Sequence, residues 1–337
     1  MTTVIAPGRV NLIGDHTDYV GGLALPCALD LAVTAEFEVG GEYVDLSSDA
    51  TAEIALFELS SRDAKPTSSS VWLRLVHAVA SLVATPRGVT GRLTTTLPIG
   101  AGLSSSAACT IALALTLGFD GDPHDLVLLA QAAEQRATGV PCGVLDQLAI
   151  VYGQANHACL VDAGAVTATP VKIPSDVAIV VVSSGHSRTL SDTPYAERRS
   201  EAERAIEELG GLISASMGDA QALADPVSRR RARHVLSENE RVRAVAEAFG
   251  RNDAKAAGAA LLASHASLRD DAEVSTHDLD SLVDALSSRR GVFGARLTGA
   301  GFGGSVVALT TTEAAPALAE TFGGRVVVAS DGARSVG

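Results

Sequence analysis

The sequence lacks any apolar run long enough to cross a membrane. Its longest apolar stretches, such as IALALTL at 111–117 and VAIVVV at 177–182, fall short of the roughly 18 residues that a membrane span needs. No basic segment followed by an apolar one stands at the N-terminus, so we expect no secretory signal. The sequence therefore favours a cytoplasmic protein with no membrane partner.

Cysteine is scarce and unpatterned. The four cysteines form no C-x-x-C pair and stand at scattered positions: Cys27, Cys109, Cys142 and Cys159. This distribution favours reduced thiols over a disulfide framework or a zinc site.

Basic residues are outnumbered. The chain has 26 Lys and Arg against 39 Asp and Glu, a formal net charge of −13. A nucleic-acid partner requires a basic footprint, so none is expected. The one basic run, RRRAR at 229–233, lies in a Glu-rich helical pattern and is interpreted as a solvated helix face.

The chain has enough apolar residues for a sizeable core. Of its 337 residues, 47% are hydrophobic, and this length suits two domains or one large one. Helical patterns are predicted at 71–84, 104–117, 123–138 and from 195 to about 290. Strand patterns are predicted at 23–39, 89–98, 157–163, 177–184, 294–299 and 305–310, the second of them half-exposed and antiparallel. This grouping indicates an α+β fold, which we divide at the proline-containing segment 165–176 into domains 1–168 and 169–337.

The segment GRVNLIGDHTDY, residues 8–19, crowds charged and hydrogen-bonding side chains around a short apolar strip. The composition of this segment alone does not say what these polar groups bind.

The segment LPIGAGLSSSAACTIALAL, residues 97–115, places glycines and serines between a strand and a helix. Backbone N–H groups at a helix N-terminus favour an anion, commonly a phosphate. The segment is not a Walker loop, because no G-K-[ST] follows, and Ser105 stands where a dinucleotide fingerprint has its third glycine. A serine cap with a glycine turn is the alternative.

The segment LTGAGFGGSVVAL, residues 297–309, has four glycines in six positions between two strands. Such a cluster indicates either a hairpin turn or a backbone surface that lines a ligand cleft.

Together these segments resemble the signature motifs of the GHMP small-molecule kinases, and the first resembles the galactokinase signature. APGRVNLIGDHTDY, GAGLSSSAA, GVPCGVLDQ, RRRARHVLSENERV, SHASLRDD and LTGAGFGG follow one another in the order typical of galactokinases. The resemblance implies a two-domain fold, with an N-terminal domain like the second domain of ribosomal protein S5 and a ferredoxin-like C-terminal domain. It also implies transfer of the γ-phosphoryl group of ATP to the anomeric hydroxyl of galactose.

The resemblance also implies roles for individual residues. Asp146 matches the catalytic aspartate and Arg9 the arginine beside it. Ser106 and Glu134 match the pair that holds Mg²⁺. The sugar pocket matches Asp15, His16, Thr17, Asp18 and Tyr195, and the ATP phosphate loop matches Gly100, Ala101, Gly102, Leu103, Ser104, Ser105 and Ser106.

The chemistry of these residues leaves one question open. A carboxylate beside the attacking hydroxyl can accept its proton, but the neighbouring Arg9 stabilises the Asp146 carboxylate and makes it a weaker base. Asp146 therefore either abstracts the proton or orients and stabilises the reacting groups. Taken singly, Asp146 suits a helix cap and Glu134 a solvated surface position.

Two other functions are considered beside galactose phosphorylation. Asp15 stands where galactokinases usually have glutamate, which leaves room for a related sugar kinase acting on L-arabinose or N-acetylgalactosamine. A non-catalytic sugar and ATP sensor is disfavoured, because the phosphate loop and the catalytic set are intact. We expect a monomer that takes a small-molecule sugar and ATP.

Overall fold

The computed structural model describes residues 1–64, 70–98, 102–185 and 195–336. Within these ranges the chain forms three β-sheets and ten α-helices.

The first sheet is built mainly from the N-terminal half of the chain. Its strands are β1 (Thr2–Asn11), β3 (Pro26–Val39), β4 (Tyr43–Ser48), β5 (Thr51–Glu58), β6 (Val89–Thr95) and β13 (Arg334–Val336). They lie in the order β13-β1-β3-β6-β4-β5, and of their pairs only β4 with β6 is parallel. The first strand, which carries Arg9, is therefore an inner strand.

Helices from the same half pack against this sheet. They are α1 (Val71–Leu82), α2 (Ser105–Thr116), α3 (Pro123–Thr138) and α4 (Leu145–Val151). α2 contacts β1 and β3 as well as α3, so most of its side chains are buried. α3 begins where the Asp122 carboxylate accepts a hydrogen bond from the Asp125 N–H at 2.9 Å, and it ends at Gly139, whose φ is +73°. These boundaries place α2 and α3 side by side.

The second sheet belongs to the C-terminal half. Its strands are β9 (Val177–Ser183), β10 (Val292–Thr298), β11 (Ser305–Thr311) and β12 (Arg325–Val327), in the order β10-β11-β9-β12, with every pair antiparallel. Counted along the chain this order is 2-3-1-4. Helices connect the first strand to the second and the third to the fourth, as in a ferredoxin-like domain.

A layer of helices joins the two halves. It comprises α5 (Tyr195–Glu208), α6 (Met217–Ala222), α7 (Pro226–Gly250), α8 (Ala254–Asp270) and α9 (His277–Ser287), and α10 (Ala315–Phe322) connects β11 to β12. α8 and α9 pack on β10, and α7 packs on α8. Apolar side chains from the second half of α7 and the first half of α8 join the same core as the first sheet.

The solvated helix face predicted for RRRAR is wrong in part. Arg233 is exposed, but only 3% of Arg231 is, and its guanidinium pairs with Glu201 at 2.8 Å and Glu273 at 2.6 Å. Acidic partners on α5 and beyond α8 neutralise the buried charge. These partners are distant in sequence, so the local pattern could not reveal them.

The third sheet lies at the predicted domain boundary. Its strands are β2 (Leu23–Ala24), β7 (His157–Asp162) and β8 (Thr167–Lys172). Residues 168 and 169 fall inside β8, and the chain enters the second sheet at Val177. The division into 1–168 and 169–337 stays a prediction.

Most sequence-based elements agree with the structure. The α+β class and the predicted helices are confirmed. Each segment predicted as a strand contains a strand or overlaps one in the structure. β6 pairs antiparallel with β3, as expected, but parallel with β4. The four cysteines all lie in the described ranges and are unpaired. Among the described helices, none combines the length and the apolar character that a membrane span requires.

Candidate active site

A polar cleft gathers most of the residues that the sequence singled out. Its volume is about 290 Å³, and it is lined by the loop after β1, the start of α2, Glu134 of α3, residues 142–147, the start of α5 and the turn between β10 and β11. The motifs that were separate in sequence therefore meet at one place.

Asp146 is held by two opposing donors. The Arg9 guanidinium contacts Asp146 Oδ1 through Nε at 2.7 Å and Nη2 at 2.5 Å, and the Ser104 hydroxyl donates to Oδ2. Arg9 Nη1 also donates to the Gly102 carbonyl at 2.7 Å. Asp146 is therefore not a helix cap, since Val144 holds that position in α4. Arg9 ties the carboxylate to the glycine-serine loop.

Ser104 does not act as a capping side chain either. It precedes α2 in the left-handed conformation, with φ of +57°, and its hydroxyl makes no bond to the backbone of the helix. This backbone geometry turns its side chain to Asp146.

Glu134 is paired with polar groups rather than solvated. The Ser106 hydroxyl donates to Oε1, and Gln147 Nε2 donates to Oε2 at 2.8 Å. Burial, together with the nearby charge of Asp146, raises the Glu134 pKa to about 7, although the bonds from Ser106 and Gln147 oppose the shift. Because ionising this carboxylate is costly, a cation bound beside it would stabilise its charged form.

The pair of Ser106 and Glu134 fits magnesium in donor type. Both supply hard oxygen atoms, and Mg²⁺ commonly binds one or two carboxylates and keeps several waters. Within the described ranges, no group of three or more His, Cys, Asp and Glu side chains is arranged to hold a metal ion. Ser106 and Glu134 together supply one hydroxyl and one carboxylate.

Two of the predicted sugar residues, Asp15 and His16, lie against the turn between β10 and β11. Asp15 is 6% exposed; its Oδ1 accepts from the Gly299 N–H at 3.0 Å, and its Oδ2 lies 2.6 Å from Arg296 Nη2. His16 Nε2 lies 3.2 Å from the Ala300 carbonyl. The glycine cluster is thus both a hairpin turn and part of the lining of the cleft.

Thr17 does not line the cleft, in contrast to the prediction from the motif. It is fully buried, and its hydroxyl lies 3.0 Å from the Gly14 carbonyl oxygen and 2.8 Å from the Leu23 carbonyl oxygen, which share its one proton. The short side chain satisfies the backbone of its own loop. Thr17 therefore shapes the loop that presents its neighbours.

Asp18 lies against the segment that leads to Asp146. A Cβ on Gly143 would stand only 1.7 Å from Asp18 Oδ2, so this approach requires glycine. Burial, with the charges of Asp146 and Asp15 adding to it, raises the Asp18 pKa to about 6. The cleft therefore holds an acid that titrates near neutrality.

Tyr195, at the start of α5, closes one side of the cleft. Its ring lies 5.6 Å from His16 and 6.3 Å from Tyr19 between centroids, and burial raises its pKa. Arg199 stacks over Tyr19 at 5.5 Å and donates to the Pro141 carbonyl at 2.8 Å. One turn of α5 therefore links the loop after β1 to the segment before Asp146.

The glycine-serine loop is described from Gly102 onward. Gly102, Ser105 and Ser106 line the cleft, and Leu103, also in the lining, is mostly buried. The first turn of α2 therefore borders the cleft. Gly100 and Ala101 lie outside the described residues.

Sequence reasoning missed three residues that the structure brings into the site. Gln147 is fully buried against Glu134, and Tyr19 and Arg296 contact His16 and Asp15 respectively. Gln147 and Tyr19 stood inside quoted motifs, next to residues that were chosen. Arg296 gave no local signal, because an arginine in an apolar strand pattern usually faces solvent.

Family models match most segments of the site. Residues 2–39 match the galactokinase galactose-binding signature, 71–154 the N-terminal domain of GHMP kinases, and 245–326 their C-terminal domain. A galactokinase from Chloroflexus aurantiacus is 38% identical over 91% of this chain and 83% of its own length. One from Pyrococcus furiosus is 35% identical, covering 94% and 91%.

Solved structures agree with the fold. The galactokinase of Lactococcus lactis, complexed with galactose, superposes with a TM-score of 0.90 at 28% identity, over 99% of this chain and 94% of that one. The mevalonate kinase of Methanococcus jannaschii shares the fold at a TM-score of 0.71 and 18% identity, with 99% and 98% covered. The two-domain kinase architecture is confirmed.

Proposed function

The chain belongs to the galactokinase family of the GHMP kinases, and on this premise we propose that it transfers the γ-phosphoryl group of ATP to the anomeric hydroxyl of galactose. The observation that carries the proposal is the convergence of the galactose-signature loop, the Arg9–Asp146 pair and the start of α2 on one cleft. The comparisons do not favour another sugar or a non-catalytic sensor as the main function.

The sugar would lie against the loop after β1. Asp15, His16, Asp18 and Tyr195 offer carboxylates, an imidazole and a phenol to a ligand rich in hydroxyl groups. A sugar needs many hydrogen-bond partners at once, because each desolvated hydroxyl left unpaired costs affinity. Thr17 supports this loop from behind.

Asp146 and Arg9 would serve the reacting hydroxyl and the transferred phosphoryl group. Phosphoryl transfer asks a protein chiefly for positioning and charge neutralisation. With Arg9 and Ser104 holding both oxygens, the Asp146 carboxylate is fixed in orientation and keeps lone pairs for the hydroxyl hydrogen. The same geometry serves proton abstraction and orientation, so both roles stay within the proposal.

The phosphates of ATP would lie at the start of α2. The backbone N–H groups of this helix terminus favour an anion. Residues 100–106 form the proposed loop, and Gly102, Leu103, Ser104, Ser105 and Ser106 are its described part. Ser106 and Glu134 would hold Mg²⁺, which when bound neutralises charge on the phosphate oxygens.

A coupled assay for ADP release with a panel of free sugars tests the proposal. We expect galactose to give the highest kcat/KM, with L-arabinose and N-acetylgalactosamine below it. If none of the sugars leads to ADP release, the proposed catalysis is contradicted. If another sugar gives a higher kcat/KM than galactose, galactose is contradicted as the substrate. A monomeric state and a cytoplasmic location stay predictions, which light scattering and cell fractionation check.

A further inference from the structure

The guanidinium of Arg296 lies fully buried behind the sugar side of the cleft. Arg296 stands in β10 and is the bulkiest of the fully buried side chains in the described part of the chain. Its Nη1 donates to the Leu12 carbonyl at 3.1 Å, and its Nη2 lies 2.6 Å from Asp15 Oδ2. One side chain of the C-terminal half therefore contacts both the end of β1 and a carboxylate in the loop that follows it.

Burying this cation is costly, so its partners matter. A buried ion pair is often no more stabilising than apolar residues of similar volume. Arg296 also acts on a second buried acid, Glu238: burial opposes ionisation of Glu238, but the charge of Arg296, helped by His234 and Arg241, lowers its pKa. A contribution to the stability of the fold therefore does not by itself explain why an arginine stands at position 296.

The contacts of Asp15 indicate what the arginine does. One carboxylate oxygen faces Arg296 and the other accepts from the Gly299 N–H, so both anchors come from β10 and the turn after it. Asp15 still lines the cleft; its Oδ2 is buried on the side of Arg296, and Oδ1, which accepts from Gly299, keeps a further lone pair. The orientation of the Asp15 carboxylate toward a ligand is thus set by Arg296 and Gly299.

We infer that Arg296 is a positioning residue for sugar binding: it holds the Asp15 carboxylate in the orientation that accepts hydrogen bonds from sugar hydroxyls. The inference rests on the proposed function and adds a residue that contacts no substrate. Lysine would keep the charge but not the planar group that reaches a carbonyl and a carboxylate at once, so the geometry requires arginine.

Steady-state kinetics of Arg296→Lys, with galactose and ATP varied separately, tests the inference. We expect the galactose KM to rise about tenfold or more, as for loss of a hydrogen bond to a charged group, with the ATP KM within about twofold of wild type. Arg231→Met is the matched control, because it removes another buried guanidinium that pairs with Glu201 and Glu273 away from the cleft. The control should lower Tm and leave the galactose KM unchanged.

A double-mutant cycle with Asp15 keeps the test decisive if the single variant folds poorly. Asp15→Asn combined with Arg296→Met removes both charges together and leaves neither unpaired. If Arg296 acts through Asp15, the double variant has the galactose KM of Asp15→Asn within about twofold. A further rise of tenfold in the double variant would show that Arg296 acts by another route.

The possible failures are separable. Wild-type protein that does not phosphorylate galactose overturns the proposed function and this inference with it. Wild-type protein that phosphorylates galactose, with an Arg296→Lys variant whose galactose KM stays within twofold, overturns the inference alone. A parallel rise in the galactose and ATP KM values in Arg296→Lys would also overturn it, because it indicates general damage to the site.

Discussion

At the scale of single residues, the environment of Asp146 makes a kinetic prediction. Asp146→Asn keeps the shape but turns an amide group toward donors from Arg9 and Ser104. We expect kcat to fall by about 10² to 10⁴ with galactose affinity little changed, as for loss of a general base. Single-turnover kinetics and galactose calorimetry measure the two quantities. A variant that keeps more than about a third of its turnover would contradict the role of Asp146.

Glu134 makes a second prediction at this scale. Glu134→Gln removes the one carboxylate that we assign to the metal, so the Mg²⁺ concentration for half-maximal activity should rise roughly tenfold. Titration of activity with Mg²⁺ at saturating ATP and galactose measures it. Glu197→Gln, at an exposed position on α5, is the control. An unchanged titration in Glu134→Gln would place the metal elsewhere.

Asp18 predicts a pH dependence of stability without any ligand. Its pKa is about 6 in the folded protein, against the ordinary 3.8, because burial and neighbouring acids disfavour its charge. Ionised Asp18 therefore lowers the free energy of unfolding. This loss of stability is complete above pH 6 and disappears as the pH falls toward 3.8. Asp18→Asn should stabilise the protein by on the order of 1 to 3 kcal/mol at pH 8, less at pH 5. Thermal melts across this range check it, and a difference independent of pH would contradict the cause.

At the scale of elements, the segment before α4 depends on one missing side chain. Gly143→Ala would place a Cβ 1.7 Å from Asp18 Oδ2, so either the Asp18 carboxylate must turn away from its place in the cleft or the segment that carries Asp146 must move. We expect kcat/KM for galactose to fall by about 10² or more, since small misplacements at a reacting centre are costly. Gly250→Ala, where no atom lies within 4 Å of the new Cβ, is the control. Equal activity of the two variants would show that the contact is unimportant.

Elements with their own start and stop signals could be predicted from sequence. α3 matches its predicted range, 123–138, because Asp122, Pro123 and Gly139 mark its ends chemically. β4 and β5 were missed: β5 is an edge strand with exposed Ile54 and Leu56, and β4 depends on parallel pairing with distant β6. Local alternation carries no signal for such pairing.

The candidate site, like the helices and strands, could be predicted only where the sequence carries a local signal. Asp146 and Glu134 were found through the motifs, as were their partners Arg9 and Ser106. The partners of Asp15 were not. Gly299 and Asp15 stand 284 positions apart, and only the packing of β10 beside the end of β1 brings them together. The exclusion of Thr17 from the cleft likewise depends on carbonyls that a sequence does not orient.

At the scale of the whole molecule, the last described strand returns to the first sheet. β13 pairs with β1, where Thr3 stands opposite Val336, and Ser330 donates its N–H to the Ala28 carbonyl at 3.0 Å. Deleting residues 333–337 should lower stability by on the order of 1 to 2 kcal/mol, because few and exposed bonds are lost, and should increase aggregation through the bared edge of β1. Thermal melts and light scattering measure both effects. An unchanged Tm and scattering would show that β13 does not protect the edge.

This pairing sets an order for biosynthesis. β13, the outer neighbour of β1, leaves the ribosome more than 300 positions after it. At ordinary elongation speeds of about 5 to 20 residues per second, the outer edge of β1 stays unpaired for roughly 15 to 60 s before β13 is made. During that interval the nascent chain presents an open strand to chaperones, or to other chains on the same polysome, until β13 closes that edge of the first sheet.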